Sequence, residues 1–245
     1  MWGEYMEIRR FFTDSSALQN DTITLTGDEF LHMTKVLRYK VGFKAIVCLN
    51  DGYERHCTIT QIGKDFALLN VDESKKVDRK NVSLTLYAGL LKNNKLDFVI
   101  QKAVELGVDS VVPFVSANSA ETKFSLERGE KIALEAAKQC GSAYLSSVKG
   151  LVDFDMVLND IKGFDTVLFA YEGETQNSVK TSNLTGRNIA LIVGCEGGFT
   201  PEEAEKAKLE GANVVTLGRR ILRAETASIV LATLTLDKLG ELDYD

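Results

Sequence analysis

Two short segments hold the residue types that chemistry at a strand end requires. In Ile192-Val193-Gly194-Cys195-Glu196-Gly197-Gly198-Phe199-Thr200 an apolar run enters a glycine-rich turn. Glycines let the backbone approach a ligand closely and expose N–H groups that can bind it. The spacing matches neither G-x-x-x-x-G-K-[ST] nor G-x-G-x-x-G, so neither a phosphate loop nor a dinucleotide fingerprint is present. The turn reads equally as a ligand loop or as an ordinary tight connection between strand and helix. The second segment, Leu217-Gly218-Arg219-Arg220-Ile221-Leu222-Arg223-Ala224-Glu225-Thr226-Ala227, meets a glycine, three arginines within five residues, and a helix start of small residues. It reads as a ligand-facing turn or as a solvated basic one. Two such turns at the carboxyl ends of strands in one α/β domain fit the usual ligand crevice.

Other chemistries are poorly supplied. The two histidines, His32 and His56, both lie in the first quarter of the chain, and His56 falls on a predicted strand, where a structural role is expected. No Ser-His-Asp or Cys-His arrangement is supported in the remainder, and no metal site is expected. The net charge, 29 basic against 35 acidic side chains or -6, speaks against a generally sticky nucleic-acid binder but leaves room for local basic patches. One candidate is His32-Met33-Thr34-Lys35-Val36-Leu37-Arg38-Tyr39-Lys40 with Lys44, where helical spacing would make Lys35 and Arg38 neighbours and place His32 one turn earlier. With Arg9-Arg10 this builds either a phosphate-binding face or a merely solvated one. Lys92 and Lys95 open a third segment, whose helix buries Leu96, Val99, Ile100, Ala103 and Val104.

The elements that position these residues follow from periodicity. Residues 8–73 read as mostly strand: Thr22–Thr26, Lys44–Asn50, Tyr53–Ile62 and Phe66–Asp72, with one amphipathic helix over Asp28–Arg38 carrying Phe30, Leu31, Thr34, Val36 and Leu37. Asp51-Gly52 signals a two-residue hairpin turn. A small β-barrel with one helix fits residues 1–74, and the polar stretch 75–81 is the expected linker. Over 82–245 strands alternate with helices, implying a mostly parallel sheet covered on both faces. The strands are Ser83–Ala88, Ser110–Val115, Thr166–Ala170, Ile189–Val193 and Val214–Leu217. The helices are Lys95–Leu106, Leu126–Cys140, Pro201–Glu210 and Ala224–Leu239, the first three stopped by Gly107, Gly141 and Gly211. Thr200-Pro201-Glu202-Glu203 is a complete capping box. No run of about 18 apolar residues marks a membrane span, and the first residues lack a signal-peptide layout; Met6 is an alternative start to Met1. The four cysteines, Cys48, Cys57, Cys140 and Cys195, form no C-x-x-C pair and read as reduced core thiols of a cytoplasmic protein.

Taken together, these segments resemble the ribosomal small-subunit RNA uridine-N3 methyltransferases (RsmE-type) of the SPOUT superfamily. The likeness includes Arg9-Arg10-Phe11-Phe12, His32 with Val36-Leu37-Arg38, Gln101-Lys102-Ala103 with Glu105-Leu106-Gly107-Val108, and Glu135-Ala136-Ala137 with Gln139-Cys140-Gly141. Its strongest parts are the two turns described first. The sequence departs from the family pattern at Cys195, where proline is usual, at Ser142, where arginine is usual, and in lacking an Arg-Trp pair before the 126–140 helix. The cofactor motifs are thus better preserved than some RNA contacts.

The resemblance implies a PUA-like β-barrel domain followed by an α/β methyltransferase domain with a deep trefoil knot. It implies S-adenosylmethionine held by Leu168, Ala170, Gly194, Glu196, Gly197, Gly198, Leu217, Gly218, Ile221, Leu222, Thr226 and Ala227. Arg223 and Glu225 are the expected catalytic pair: Arg223 stabilises charge on the uracil oxygens, and Glu225 orients it, accepts a proton, or simply caps the helix. Arg10, His32, Lys35, Arg38, Lys92 and Lys95 are the expected contacts to 16S ribosomal RNA or the small subunit. A homodimer is implied, with Ile229, Val230, Leu231, Leu234 and Leu236 of the last helix at or near its interface. Two rivals differ in class. A non-catalytic RNA-binding assembly factor would keep the fold without methylating, and an intact Gly197-Gly198 and Arg223-Ala224-Glu225-Thr226 argue against it. A nucleotide-dependent enzyme on an ordinary doubly wound sheet lacks its phosphate-loop lysine.

Overall fold

The computed structural model describes residues 8–243, so both candidate starts, Met1 and Met6, lie outside it. The chain divides into two compact units. One holds the residues up to Arg79 together with Ala137–Leu145, and the other holds Lys80–Ala136 and the chain from Ser146 onward.

The first unit is a six-stranded sheet built from β1 (Arg10–Phe12), β2 (Leu18–Gln19), β3 (Thr22–Thr26), β4 (Lys44–Cys48), β5 (Tyr53–Ile62) and β6 (Phe66–Lys76). Their order is β1-β4-β5-β6-β3-β2, antiparallel except for the β1–β4 pair. Phe11, Ile23, Leu25, Phe30, Met33 and Leu69 form its core. Strand β6 continues through Lys76, past the expected boundary at residue 74, because Ser74–Lys76 pair with Tyr53–Arg55 through backbone alone. Their exposed polar side chains left no hydropathic trace of a strand. The linker expected over 75–81 is shortened accordingly, and Ala137–Leu145 join this unit rather than the second.

Two local expectations are corrected here. The helix expected over Asp28–Arg38 is a short α-helix, α1 (Gly27–Leu31), continued by a π-helical turn His32–Val36. The Leu37 N–H donates to the His32 carbonyl at 2.9 Å, a five-residue step. That wider turn rotates the face, so Phe30 and Met33 enter the core while Leu31 and Val36 are exposed. Arg38 lies beyond it with φ 56°, so α-helical spacing does not make it a neighbour of Lys35. The hairpin at Asp51-Gly52 is a longer loop, with Asn50 and Gly52 taking the positive φ. Asp51 instead grips Arg55 with both carboxylate oxygens, at 3.0 and 2.6 Å.

The second unit is a parallel sheet. Its strands are β7 (Ser83–Gly89), β8 (Ser110–Val115), β9 (Ser147–Val148), β10 (Val152–Asp153), β11 (Thr166–Ala170), β12 (Asn188–Val193) and β13 (Asn213–Val215). The order is β10-β8-β7-β12-β11-β13, with β9 beside β8. Parallel neighbours need crossover connections; α2 (Lys95–Glu105), α3 (Leu126–Cys140), α4 (Phe154–Asp160) and α5 (Pro201–Leu209) lie in them, and α6 (Ala224–Lys238) follows the last strand. The strands are near-continuous apolar runs, as burial on both faces demands. The short β9, β10 and α4 escaped the sequence reading; α4 is capped by Asp153, whose carboxylate accepts the Met156 N–H at 2.8 Å. Among the described residues no helix is long and apolar enough to cross a membrane.

Candidate functional site

Register brings the site together. Ala170 at the end of β11 lies level with Val193 of β12 and with Val215 of β13, so three chains leave the sheet side by side. A cavity of about 470 Å³ opens between the turns that follow them.

The turn after β12 is fixed from three sides. Phe199 is buried, its ring 4.2 Å from Phe169 and stacked at 8° to Phe114, which anchors the turn in the aromatic core. The capping box then starts α5: Thr200 Oγ1 accepts the Glu203 N–H, and Glu203 Oε2 accepts the Thr200 N–H. The second Glu203 oxygen takes the Ala117 N–H at 2.9 Å, satisfying this buried carboxylate. On the third side Asn118 donates to the Gly197 and Gly198 carbonyls at 3.0 and 3.3 Å. A Cβ at Gly197 would sit 2.8 Å from Asn118 Cβ, and Gly198 has φ 64°, so neither position accepts a side chain without strain.

Of the twelve residues expected to hold a cofactor, Gly194, Glu196, Gly197 and Gly198 line the cavity from the β12 turn. Leu217, Gly218, Ile221 and Leu222 line it from the β13 turn, and Ala170 and Ala227 complete the group. Leu168 is fully buried within β11 and does not reach the cavity, and Thr226 is an exposed residue outside its lining. Arg223 lines the cavity; Glu225 does not. Glu225 Oε1 lies 3.9 Å from Lys95 Nζ, and Oε2 is sealed from solvent with no hydrogen-bond partner. Sequence reasoning missed Tyr171, Glu172 and Asn118. The first two follow a strand end and precede Gly173, a signal of the same kind as the other two turns.

Lys95 is the larger surprise. Expected among the RNA contacts, it lines the cavity, with Nζ 3.2 Å from Glu196 Oε1. The same oxygen accepts the Lys92 backbone N–H at 3.0 Å. Burial alone pushes the Glu196 carboxyl up, but the Lys92 N–H and the Lys95 ammonium outweigh it and hold the group below its ordinary value.

The other basic residues divide. Lys35, Arg38, Lys40 and Lys92 are exposed, and His32 is half-buried with its ring edge-on to Phe11. Lys44 is engaged by Asp72 at 2.9 Å. Arg10, expected on the RNA face, is almost buried: its guanidinium pairs with Glu54 at 2.7 Å and donates to Cys48 Sγ at 3.2 Å. Cys48, Cys57 and Cys195 are buried as expected, but Cys140 is exposed near the end of α3. Among the described residues no group of three or more His, Cys, Asp or Glu side chains is placed to hold a metal ion.

Comparison with known proteins adds to this geometry. A family model described as an RNA methyltransferase domain matches residues 78–236, and one described as an RNA methyltransferase PUA domain matches residues 25–72. The ribosomal RNA small subunit methyltransferase E of Bacillus subtilis strain 168 is 30% identical over 239 residues, covering 91% of this chain and 93% of its own. Its namesake in Rickettsia conorii is 31% identical over 229 residues, covering 91% and 93%. The crystal structure of a ribosomal RNA small subunit methyltransferase E from Neisseria gonorrhoeae, bound to S-adenosyl methionine, superposes with a TM-score of 0.83. It is 24% identical and covers 94% of this chain and 98% of that one.

Proposed function

The chain belongs to the RNA methyltransferase family that includes the small-subunit methyltransferases E, and we propose that it methylates N3 of a uridine in small-subunit (16S) ribosomal RNA. Its cofactor is S-adenosylmethionine. The observation that carries the proposal is a cavity shared by the β12 and β13 turns, with Arg223 on its wall.

The cavity residues suit that cofactor. Ala170, Val193, Leu217, Leu222 and Ala227 offer apolar surface for a flat heterocycle, while Glu172 and Glu196 offer acidic oxygens to a ligand carrying ammonium and sulfonium charge. Held by these residues, the cofactor would supply an electrophilic methyl group. The chain's own residues have two tasks. The turns must align the base with the methyl, and orientation of this kind supplies much of a methyl transfer's rate. Arg223 must stabilise the negative charge that appears on the uracil oxygens as the N3 proton leaves. Glu225, behind the cavity wall, serves as an orienting carboxylate rather than a direct proton acceptor.

The same reading includes finer features. Lys35 and Arg38, both exposed, are proposed to bind RNA phosphates. A homodimer is proposed through α6, where Leu234 is exposed and Ile229 and Val230 are half-buried, although Leu231 and Leu236 face their own core. A trefoil knot in the second unit and work in the cytoplasm, where ribosomes are assembled, complete the proposal. The test is to map N3-methyluridine in small-subunit RNA from cells lacking the protein. The mark should vanish and return with the intact gene; its persistence would refute the assignment.

A further inference from the structure

Resting on that reading, we propose that Lys95 is a second catalytic cation, which touches the target uracil and stabilises its anion, and that Glu196 and Glu225 position it. Three observations carry this. Lys95 is the first residue of α2, and it lines the same cavity as Arg223. Its ammonium is held between two carboxylates, 3.2 Å from Glu196 Oε1 and 3.9 Å from Glu225 Oε1. A surface lysine that binds phosphate by swinging freely has no need of such a frame. Finally, Glu225 does not line the cavity and its Oε2 is sealed from solvent, whereas Lys95 does line it, so of this pair Lys95 is the group that can meet a substrate.

The chemistry asks for such a cation. N3 of uracil carries a proton between two carbonyls, and it becomes nucleophilic when that proton passes to water and the charge spreads over both carbonyl oxygens. One arginine covers one side of that anion; a lysine fixed by two carboxylates supplies the other. Preorganised charge in a walled cavity stabilises such an anion far better than bulk water does.

Fluorine at C5 acidifies the N3–H, so a fluorinated uridine depends less on cation stabilisation. Small subunits from cells lacking the protein, grown with some 5-fluorouracil, contain both bases at the target position. Methylated fluorouridine and methylated uridine are then measured by mass spectrometry from one reaction, giving a ratio independent of how much enzyme is folded. Lys95→Met and Lys95→Gln should slow uridine methylation by about 10²-fold and raise the fluorouridine-to-uridine ratio several-fold. Lys95→Arg, which keeps the charge, should stay close to the unaltered ratio. The salt dependence of RNA binding should not change in any of them. A ratio equal in all variants would overturn the proposal, as would an RNA-binding salt slope reduced by about one unit, the sign of a phosphate contact. If the unaltered protein makes neither product, the functional reading itself has failed; an active protein with an unchanged ratio removes Lys95 alone.

Discussion

Gly89, at the end of β7, lies so close to Cys195 that a Cβ built on it would collide with the Cys195 backbone nitrogen and the Gly194 carbonyl carbon. Register explains why: Ala88 pairs with Val193, so the next residue of each strand meets where the cofactor turn begins. Both colliding groups are backbone and cannot swing away. Gly89→Ala should therefore cost about 1–3 kcal/mol of stability by overpacking. It should also displace the glycine-rich turn, weakening S-adenosylmethionine binding more than tenfold by calorimetry. An alanine variant with unchanged melting and binding would show that the turn is not held against β7.

Gly198→Val tests the same turn from its open side. Glu172 occupies the space where a side chain would go, and φ of 64° disfavours a β-branched residue. Cofactor affinity should fall well over tenfold while the fold persists by circular dichroism. Equal affinities would detach the turn from the cofactor site.

Arg10 and the Lys35/Arg38 pair should behave differently, although sequence spacing grouped them. Arg10 is enclosed by Glu54 and Cys48, so Arg10→Ala should destabilise the first unit by about 1–3 kcal/mol, because the half-buried Glu54 carboxylate and Cys48 lose their partner. Replacing Lys35 and Arg38 by Ala should leave melting unchanged, lower RNA affinity and flatten its salt slope by about one unit per lost contact. Chemical melting and salt titration of both variants separate the two roles; a reversed pattern would contradict the burial of Arg10.

Acid should loosen the cavity through Glu196. Its carboxyl is held below its ordinary value, so its contribution to stability is complete above that ordinary value and is lost as pH falls through the lowered one. The melting temperatures of the unaltered protein and Glu196→Gln should therefore differ most near neutrality and converge below about pH 4. A gap that widens in acid would reverse the sign and exclude the assignment.

Thiol chemistry offers a check on the fold. Cys48, Cys57 and Cys195 are buried, and burial pushes the Cys57 thiol up to about 12. Only Cys140 is exposed. A disulfide reagent at pH 8 should titrate one thiol per native chain quickly and all four after denaturation. Two or more fast thiols in the native protein would contradict the packing of the first sheet or of the β12 turn.

Much of this architecture was legible because its signals are local. Gly107, Gly141 and Gly211 end helices with φ of 81°, 79° and 93°, and the Thr200 capping box is present bond for bond. Apolar runs such as Thr166–Ala170 give strands whose register alone gathers the turns. What stayed hidden depends on partners distant in sequence. Nothing near Lys95 announces Glu196 or Glu225, more than a hundred residues away, and nothing near Arg10 announces Glu54. The π-helical turn after Leu31 has no hydropathic signature either, and α-helical periodicity puts Val36 on the apolar face where the structure buries Met33.

The most direct measurement uses S-adenosylmethionine with a deuterated methyl group. Small subunits from cells lacking the protein are incubated with it and with either the unaltered chain or Arg223→Ala. Their RNA is then digested to nucleosides for mass spectrometry. The account predicts one labelled product, N3-methyluridine, formed by the unaltered chain and reduced by about 10²-fold or more in the variant. Label in another nucleoside, or no label from a chain that binds the cofactor, would contradict it.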